Sequence, residues 1–144
     1  MLIFPGKGVG QFIINKSTRN EIEKELGDGI RSMKSSYSDH GPQGENYDRL
    51  EYKELGLTFS FRLYTDTISS ISINKACDCL TYDGIKAGRT LRVKIYEKFG
   101  QTPLESDVCK VDYKTIGIGF TFANCRTGSE SDTLTSINIF QPRK

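Results

Sequence analysis

Four cysteines, Cys77, Cys79, Cys109 and Cys125, are the side chains of this chain best suited to metal or redox chemistry. One residue separates Cys77 from Cys79, whereas zinc-binding cysteine pairs usually enclose two to four residues, so no metal site is predicted. Disulfides would allow three pairings. Cys109 and Cys125 flank a predicted hairpin, but their positions in its alternation place them on opposite faces, which disfavours a bond. We expect free thiols in a reducing cytoplasm, with disulfides as the alternative.

The single histidine, His40, is the next candidate for catalysis. Asp39 could orient it, and Ser35, Ser36 or Ser38 could supply a nucleophile. All of them lie in SSYSDHGPQGENYD, whose Gly, Pro, Ser, Asp and Asn residues are typical of a loop. A flexible loop does not hold such groups in catalytic geometry, so we predict no catalytic residue and no enzyme.

The opening segment MLIFPGKGVG places glycines around Lys7. It does not match a phosphate-binding loop, because the lysine precedes the second glycine and no strand leads into it. We therefore predict an irregular N-terminal arm and no cofactor. The apolar piece is too short for a signal peptide, and no run of the chain is long and apolar enough to span a bilayer, so no membrane partner is expected.

Charge is distributed unevenly along the chain. The net charge is +2, and the first 83 residues carry −2 while the remainder carries +4. Arg62, Arg89, Arg92, Lys94 and Lys98 could form a basic patch. Few aromatic residues are interleaved with them and the pI is about 8.3, so nucleic acid is not the predicted partner.

These candidate groups are positioned by segments that occur twice in the chain. Three blocks recur in the same order: 15–27 with 88–100, 52–61 with 113–122, and 66–73 with 132–139. Two copies are too few for a solenoid. The pattern instead predicts a single pseudo-twofold domain over 1–144, with repeat one at about 9–75 and repeat two at about 84–141.

Each repeat begins with a short helix. Ser17 and Thr90 are predicted N-caps, although Thr18 with Glu21 fits a capping box one residue later. Apolar residues then recur at helical spacing, and a glycine suited to a positive φ follows each helix. Those residues are Ile22 and Leu26 before Gly27, and Leu91, Ile95 and Phe99 before Gly100. Asp66 and Asp132 precede a strand in each repeat, where they suit a turn.

The remainder of each repeat has the alternation of an antiparallel sheet with one buried face. Gly56 and Gly117 mark hairpin turns, and 30–38 is a candidate for a further strand. Since the apolar face needs a cover, the two short helices are expected to supply it. The predicted fold is α+β: two tandem repeats of a helix plus three to four antiparallel strands, forming a twisted sheet with helices on one face. The other face should be polar.

The helical segment IKAGRTLRVKIYEKFGQTP resembles the opening of bacterial outer-membrane assembly lipoproteins of the small-protein-A type. The doubled unit also resembles the tandem-repeat β-lactamase inhibitor proteins, and the PGKGVG opening resembles immunity proteins of polymorphic toxin systems. The chain departs from these families in having no lipoprotein cysteine near residue 1, no Trp, and no Gly before Ser17. The resemblance therefore implies protein binding through the sheet face, without implying a β-lactamase target.

Together these observations predict a protein-binding inhibitor, most specifically a cytoplasmic bacterial immunity protein that neutralises a cognate toxin. Arg62, Tyr64, Tyr37 and Tyr47 are the predicted partner-binding residues, because Arg and Tyr often anchor interfaces. An envelope-associated assembly protein is the alternative interpretation. A small-ligand-binding or enzymatic cleft between the two halves is a further alternative.

Overall fold

The computed structural model describes residues 1–34, 37–38, 41–42, 47–62, 64–100, 109–123 and 132–143, without the side chains of 33, 34, 37, 38, 41, 42 and 47. Two α-helices and thirteen strands lie in these residues. In chain order they are β1 (Leu2–Phe4), β2 (Gly8–Val9), β3 (Phe12–Ile13), α1 (Arg19–Leu26), β4 (Ile30–Lys34), β5 (Tyr37–Ser38), β6 (Gly41–Pro42), β7 (Tyr47–Tyr52), β8 (Leu57–Arg62), β9 (Ile68–Asn74), β10 (Leu80–Thr81), α2 (Arg92–Phe99), β11 (Lys110–Tyr113), β12 (Ile118–Phe122) and β13 (Leu134–Phe140). A short 3-10 helix, Lys53–Leu55, joins β7 to β8.

Seven of the strands form one antiparallel sheet in the order β11-β12-β13-β9-β8-β7-β4. Its centre is the pairing of β13 with β9, in which Ile137 opposes Ile73 and Ile139 opposes Ile71. The alternation of β8 is the predicted one, with Leu57, Phe59 and Phe61 buried and the residues between them more exposed. The mixed α+β class, dominated by antiparallel sheet, is thus confirmed, as is the additional strand in 30–38, which forms one sheet edge as β4.

The apolar face of this sheet has a cover that the sequence did not predict. As expected, helices pack on it: the Phe99 ring of α2 lies 5.4 Å from that of Phe120. A second sheet, in the order β10-β1-β2-β3, packs there as well, with the Phe12 ring 5.2 Å from that of Phe59. The prediction of an irregular N-terminal arm is therefore wrong. Ile3 and Val9 are buried in the same core, whereas Met1, Leu2 and Phe4 stay exposed. Gly6 and Gly10 lie in turns beside the short strands, at positive φ.

The helix boundaries agree with the sequence at the C-terminal ends, and at the N-terminal ends only the alternative cap of α1, Thr18 with Glu21, agrees. Gly27 and Gly100 are the C-caps, at φ 82° and 89°. Thr18 caps α1 in a capping box with Glu21. The prediction of Ser17 as a cap is wrong, because its hydroxyl accepts a hydrogen bond from the Ile13 N–H at 2.8 Å.

The second helix departs from the prediction in the same way. Its N-cap residue is Leu91, which has no capping side chain. The Thr90 hydroxyl accepts from the Lys86 N–H at 2.8 Å, so it closes the preceding turn. Before each helix, the hydroxyl that the sequence pattern assigned to the N-cap instead accepts a hydrogen bond from a backbone N–H of the preceding segment.

The expectation of free thiols is contradicted. Cys77 and Cys79 form a disulfide in the turn after β9, where their Cα atoms are 5.1 Å apart and both side chains are buried. That separation lies within the range that a disulfide requires. Cys109 is also disulfide-bonded. The expectation that Cys109 and Cys125 lie on opposite faces of their hairpin remains a prediction, because Cys125 lies outside the described residues.

Candidate binding face

The seven-stranded sheet presents a polar surface opposite its helices, as the alternation predicts. Its side chains are half-buried or exposed, and most carry a hydroxyl, an amide or a charge. We call this surface the polar face. It comprises Arg49, Glu51, Thr58, Ser60, Arg62, Ser70, Ser72, Lys110, Asp112, Thr121, Ser136 and Asn138, together with Lys114 and Arg143 at one end.

The polar face contains two depressions. The central depression, of about 490 Å³, is lined by strand residues, from Glu51 on β7 to Lys110 on β11. The end depression, of about 400 Å³, is bordered by Arg62, Lys114 and Arg143. Both are open to solvent along the sheet, so the face offers a broad contact area in place of an enclosed pocket.

Segments distant in sequence are fixed around the end depression by hydrogen bonds. The Arg143 N–H donates to the Lys114 carbonyl at 2.7 Å, which joins the C-terminal segment to the turn after β11. The Asn15 Nδ2 donates to the Gln141 Oε1 at 2.8 Å, which joins the same segment to the turn before α1. The Arg143 guanidinium also lies 5.8 Å from the centre of the Phe140 ring.

The polar face is basic. Among the described residues, five cationic side chains and two carboxylates line the two depressions, a net charge of +3 compared with +2 for the whole chain. The cations are Arg49, Arg62, Lys110, Lys114 and Arg143, and the carboxylates are Glu51 and Asp112. Such a surface attracts an acidic partner and raises its rate of encounter.

The structure places the four predicted partner-binding residues as follows. Arg62 lines the end depression. Tyr64 is fully exposed in the turn after β8, at φ 65°, and Thr65 in that turn donates to the Arg62 carbonyl from its N–H at 3.0 Å and from its hydroxyl at 2.8 Å. Tyr37 and Tyr47 lie in β5 and β7, and their side chains are outside the described part of the chain.

The basic patch considered from the sequence does not form. Arg92 is buried, with its guanidinium 3.0 Å from the Asp132 carboxylate and 3.9 Å from the centre of the Phe122 ring. Asp132, expected to be a simple turn residue, is therefore a buried charge partner. The helical phase places Arg92 toward the core, and only the tertiary fold shows that a carboxylate and an aromatic ring meet it there.

Sequence reasoning missed Lys114 and Arg143 as residues of the site. Lys114 shares the alternation of Lys110 and Asp112, so its side of the sheet could have been inferred from β11. Arg143 had no comparable signal, since its position depends on how the segment after β13 folds back. The sequence also drew attention to His40 as a candidate for catalysis, and that residue lies outside the described residues.

Two further properties of the described residues bear on the site. They contain no group of three or more His, Cys, Asp or Glu side chains placed to hold a metal ion. Neither of their helices is long and apolar enough to cross a membrane.

Comparison with known proteins identifies the fold and no activity. No protein-family model and no curated protein matches the chain. Among solved structures, the chain is similar to the crystal structure of the uncharacterized protein yfeY from Escherichia coli, with a TM-score of 0.60 and 12 % sequence identity. The similarity covers 98 % of this chain and 100 % of that one. At this identity the likeness concerns the fold alone.

Proposed function

We propose that the protein inhibits another protein by binding it with the polar face, as an immunity protein binds its toxin. The observation that carries the proposal is a broad, solvent-open sheet face with a net charge of +3. The partner is therefore expected to present an acidic surface. Opposite charges steer the two proteins together and disfavour basic competitors.

The face has the residue types that such an interface needs. Arg62 is the last residue of β8, and the exposed Tyr64 lies two residues later in the turn that follows. Arg and Tyr contribute disproportionately to binding energy when an interface desolvates them. The surrounding hydroxyl groups of Ser60, Ser70 and Ser136 lie on paired strands, so they are presented rigidly while remaining able to donate or accept.

We also propose that the architecture is a tandem repeat with pseudo-twofold symmetry over 1–144. Hydrogen bonds recur between residues that the sequence repeat aligns, and a bulge recurs at Ser60/Phe61 and at Thr121/Phe122. The matching hydrogen bonds are Tyr52 hydroxyl to Gly27 O and Tyr113 hydroxyl to Gly100 O, Ser69 hydroxyl to Ser60 O and Thr135 hydroxyl to Thr121 O, and Asn15 N–H to Ile68 O and Gly88 N–H to Leu134 O.

The disulfides bear on the proposed compartment. The sequence predicted free thiols in a reducing cytoplasm, whereas Cys77 is paired with Cys79 and Cys109 is disulfide-bonded in the structure. Disulfides persist mainly in oxidising compartments. We propose that the protein acts in such a compartment, which is tested by thiol labelling of the protein taken directly from cells of its source.

The inhibitor proposal is tested by co-expression with the product of the neighbouring upstream gene. If that product is toxic alone, the wild-type chain should restore growth and co-purify with it. Arg62→Glu combined with Lys110→Glu should lose both effects, because these charge reversals change the polar face from +3 to −1. Lys16→Glu combined with Lys24→Glu, at exposed positions next to and on α1, makes the same change of charge and should retain both effects. Rescue by both double variants would contradict the proposal.

An envelope-associated assembly protein is the second candidate, and the disulfides favour it because the bacterial periplasm is oxidising. It is distinguished by the consequence of deleting the gene. An assembly protein should leave an envelope permeability defect when the neighbouring gene is also deleted. An immunity protein should leave none, since its only target is then absent.

A further inference from the structure

The sequence repeat relates the end depression to a second depression, and the two have different lining residues. This second one, of about 570 Å³, is lined by Lys53, Asn74, Lys75, Ala76, Gly88, Ala123 and Thr133–Thr135, and we call it the Lys53 depression. At the repeat offsets, Lys114 corresponds to Lys53, Ser69 to Thr135, and Arg62 to Ala123. The chain therefore contains two versions of one depression, one with an arginine at this strand position and one with an alanine.

We propose that the end depression binds a carboxylate of the partner, an aspartate or glutamate side chain, through the guanidinium groups of Arg62 and Arg143. This assignment rests on the proposed function, because it identifies the group of the acidic partner that the polar face holds. The Lys53 depression does not hold a carboxylate through guanidinium groups.

The assignment depends on arginine geometry and not on net charge. Three cations and the Asp112 carboxylate give the end depression +2, and two lysines give the Lys53 depression +2 as well. A guanidinium presents a planar fork that matches a carboxylate with two parallel hydrogen bonds, whereas an ammonium acts as a point charge. Among the described lining residues, the end depression has two arginines and the Lys53 depression has none.

The end depression is also built from fixed parts. The Arg143 backbone is held by the hydrogen bond from its N–H to the Lys114 carbonyl, and its guanidinium lies 5.8 Å from the centre of the Phe140 ring. Asn15 also lines the depression, and its side-chain amide donates a hydrogen bond to the Gln141 side chain. A preorganised site loses less side-chain entropy when the ligand binds.

Backbone strain is concentrated beside this depression. Among the described residues, Asn15 and Tyr64 are the only non-glycine residues with positive φ, at 62° and 65°. Asn15 lines the depression, and Tyr64 is two residues after Arg62. Gly88, which corresponds to Asn15 in the other repeat, has φ 84° and therefore no such strain. Strained residues persist where the surrounding structure or function maintains them.

The test is an NMR titration of the full chain with a tetraglutamate peptide that is acetylated and amidated, so that only side-chain carboxylates can bind. Backbone amides of Asn15, Ser69 and Gln141 report on the end depression, and those of Thr133 and Thr135 report on the Lys53 depression. The first group should shift and saturate at lower peptide concentration than the second.

Two substitutions at Arg62 separate charge from geometry. Arg62→Lys keeps the charge and should weaken peptide binding about fivefold, and Arg62→Ala should weaken it about tenfold or more, as expected for charge-assisted hydrogen bonds. Lys53→Ala is the matched control in the other depression and should leave binding at the end depression unchanged. Arg62 is exposed, so its variants are expected to keep the wild-type spectrum elsewhere.

Several results would overturn the carboxylate site. These are no saturable shift at the end depression, equal affinity in wild type and Arg62→Lys, or tighter binding of inorganic phosphate than of the peptide at the same amides. Failure of the inhibitor proposal looks different. In that case the peptide would bind and respond to Arg62 substitution, while a protein complex would be insensitive to Arg62→Ala or would not form.

Discussion

At the scale of single residues, two tyrosine hydroxyls fix the ends of the two helices. Tyr52 donates to the Gly27 carbonyl at 2.7 Å, and Tyr113 donates to the Gly100 carbonyl at 2.6 Å. Carbonyls at a helix C-terminus have no partner within the helix. These two bonds therefore tie each helix to a strand of the sheet that it covers.

Removing either hydroxyl should destabilise the fold. We expect Tyr52→Phe and Tyr113→Phe each to lower the free energy of unfolding by about 1 kcal/mol, the usual net value of one hydrogen bond. Urea denaturation measures the change. Tyr82→Phe, at an exposed position, is the control and should have no effect. Equal stability of all three variants and the wild type would show that the tyrosine bonds do not stabilise the helix ends.

The Tyr52 hydroxyl also makes stability depend on alkaline pH. Burial raises the pKa of Tyr52 above its ordinary value, the carboxylates of Glu23 and Asp28 raise it further, and Arg31 partly opposes them. Because the folded pKa is the higher one, this contribution to stability is complete below the unfolded pKa of about 10 and is lost as pH rises toward the folded value. Between about pH 9 and pH 11, wild type should therefore lose more stability than Tyr52→Phe. Parallel denaturation curves for the two proteins would contradict this.

The buried pair of Arg92 and Asp132 should be far more sensitive than the surface pairs. Asp132→Ala leaves the Arg92 charge buried, and we expect a loss of about 3 kcal/mol in the free energy of unfolding. Glu97→Ala, which breaks the exposed pair with Lys94, should cost less than about 0.5 kcal/mol. Denaturation of both variants in the same buffer gives the comparison, and similar losses would refute the assignment of Asp132 as a core residue.

At the scale of elements, the hairpin turns depend on two glycines for two separate reasons. Gly56 and Gly117 have φ of 67° and 81°, and a Cβ at either position would collide with backbone. At Gly56 the contacted atom is the Cys77 nitrogen, and at Gly117 it is the Phe140 carbonyl oxygen. Strain from φ and from the close contact should therefore add.

Gly84 separates these two effects, since it has φ 86° and a Cβ at this position would have no described atom within 4 Å. We expect Gly84→Ala to cost about 1 kcal/mol, from the left-handed backbone alone. Gly56→Ala and Gly117→Ala should each cost about 2 kcal/mol or more, because neighbouring backbone must also move. Thermal or urea unfolding ranks the three variants, and an equal cost at all three positions would exclude the contribution of backbone contact.

The elements that sequence could predict are those determined by local pattern. Strict alternation located β8 and its neighbours, and Gly56 and Gly117 located the turns. Ser17 and Thr90 were misassigned as caps, because their hydroxyls bond to backbone donors whose positions depend on the packed N-terminal segments. The N-terminal arm was misassigned for a related reason, since short strands such as β2, with two residues, have no periodicity to detect.

At the scale of the whole molecule, local sequence pattern likewise predicts only part of the candidate site. The polar character of the sheet face and the position of Arg62 follow from alternation within one strand. The end depression does not, because Asn15, Arg62, Lys114 and Arg143 come from four segments that only the completed fold brings together. The net charge of the chain likewise gave no indication that its positive charge is concentrated on one face.

Binding through the polar face is tested most directly by affinity purification from cells of the source organism with three tagged baits. These are the wild type, the polar-face variant Arg62→Glu with Lys110→Glu, and the helix-side variant Lys16→Glu with Lys24→Glu. We predict one acidic protein that is retained in stoichiometric amount by the wild type and the helix-side variant and lost with the polar-face variant. Its retention should also decrease as salt is raised, because screening weakens exposed charge pairs. A partner retained equally by all three baits, or lost only with the helix-side variant, would contradict the assignment of the polar face as the binding surface.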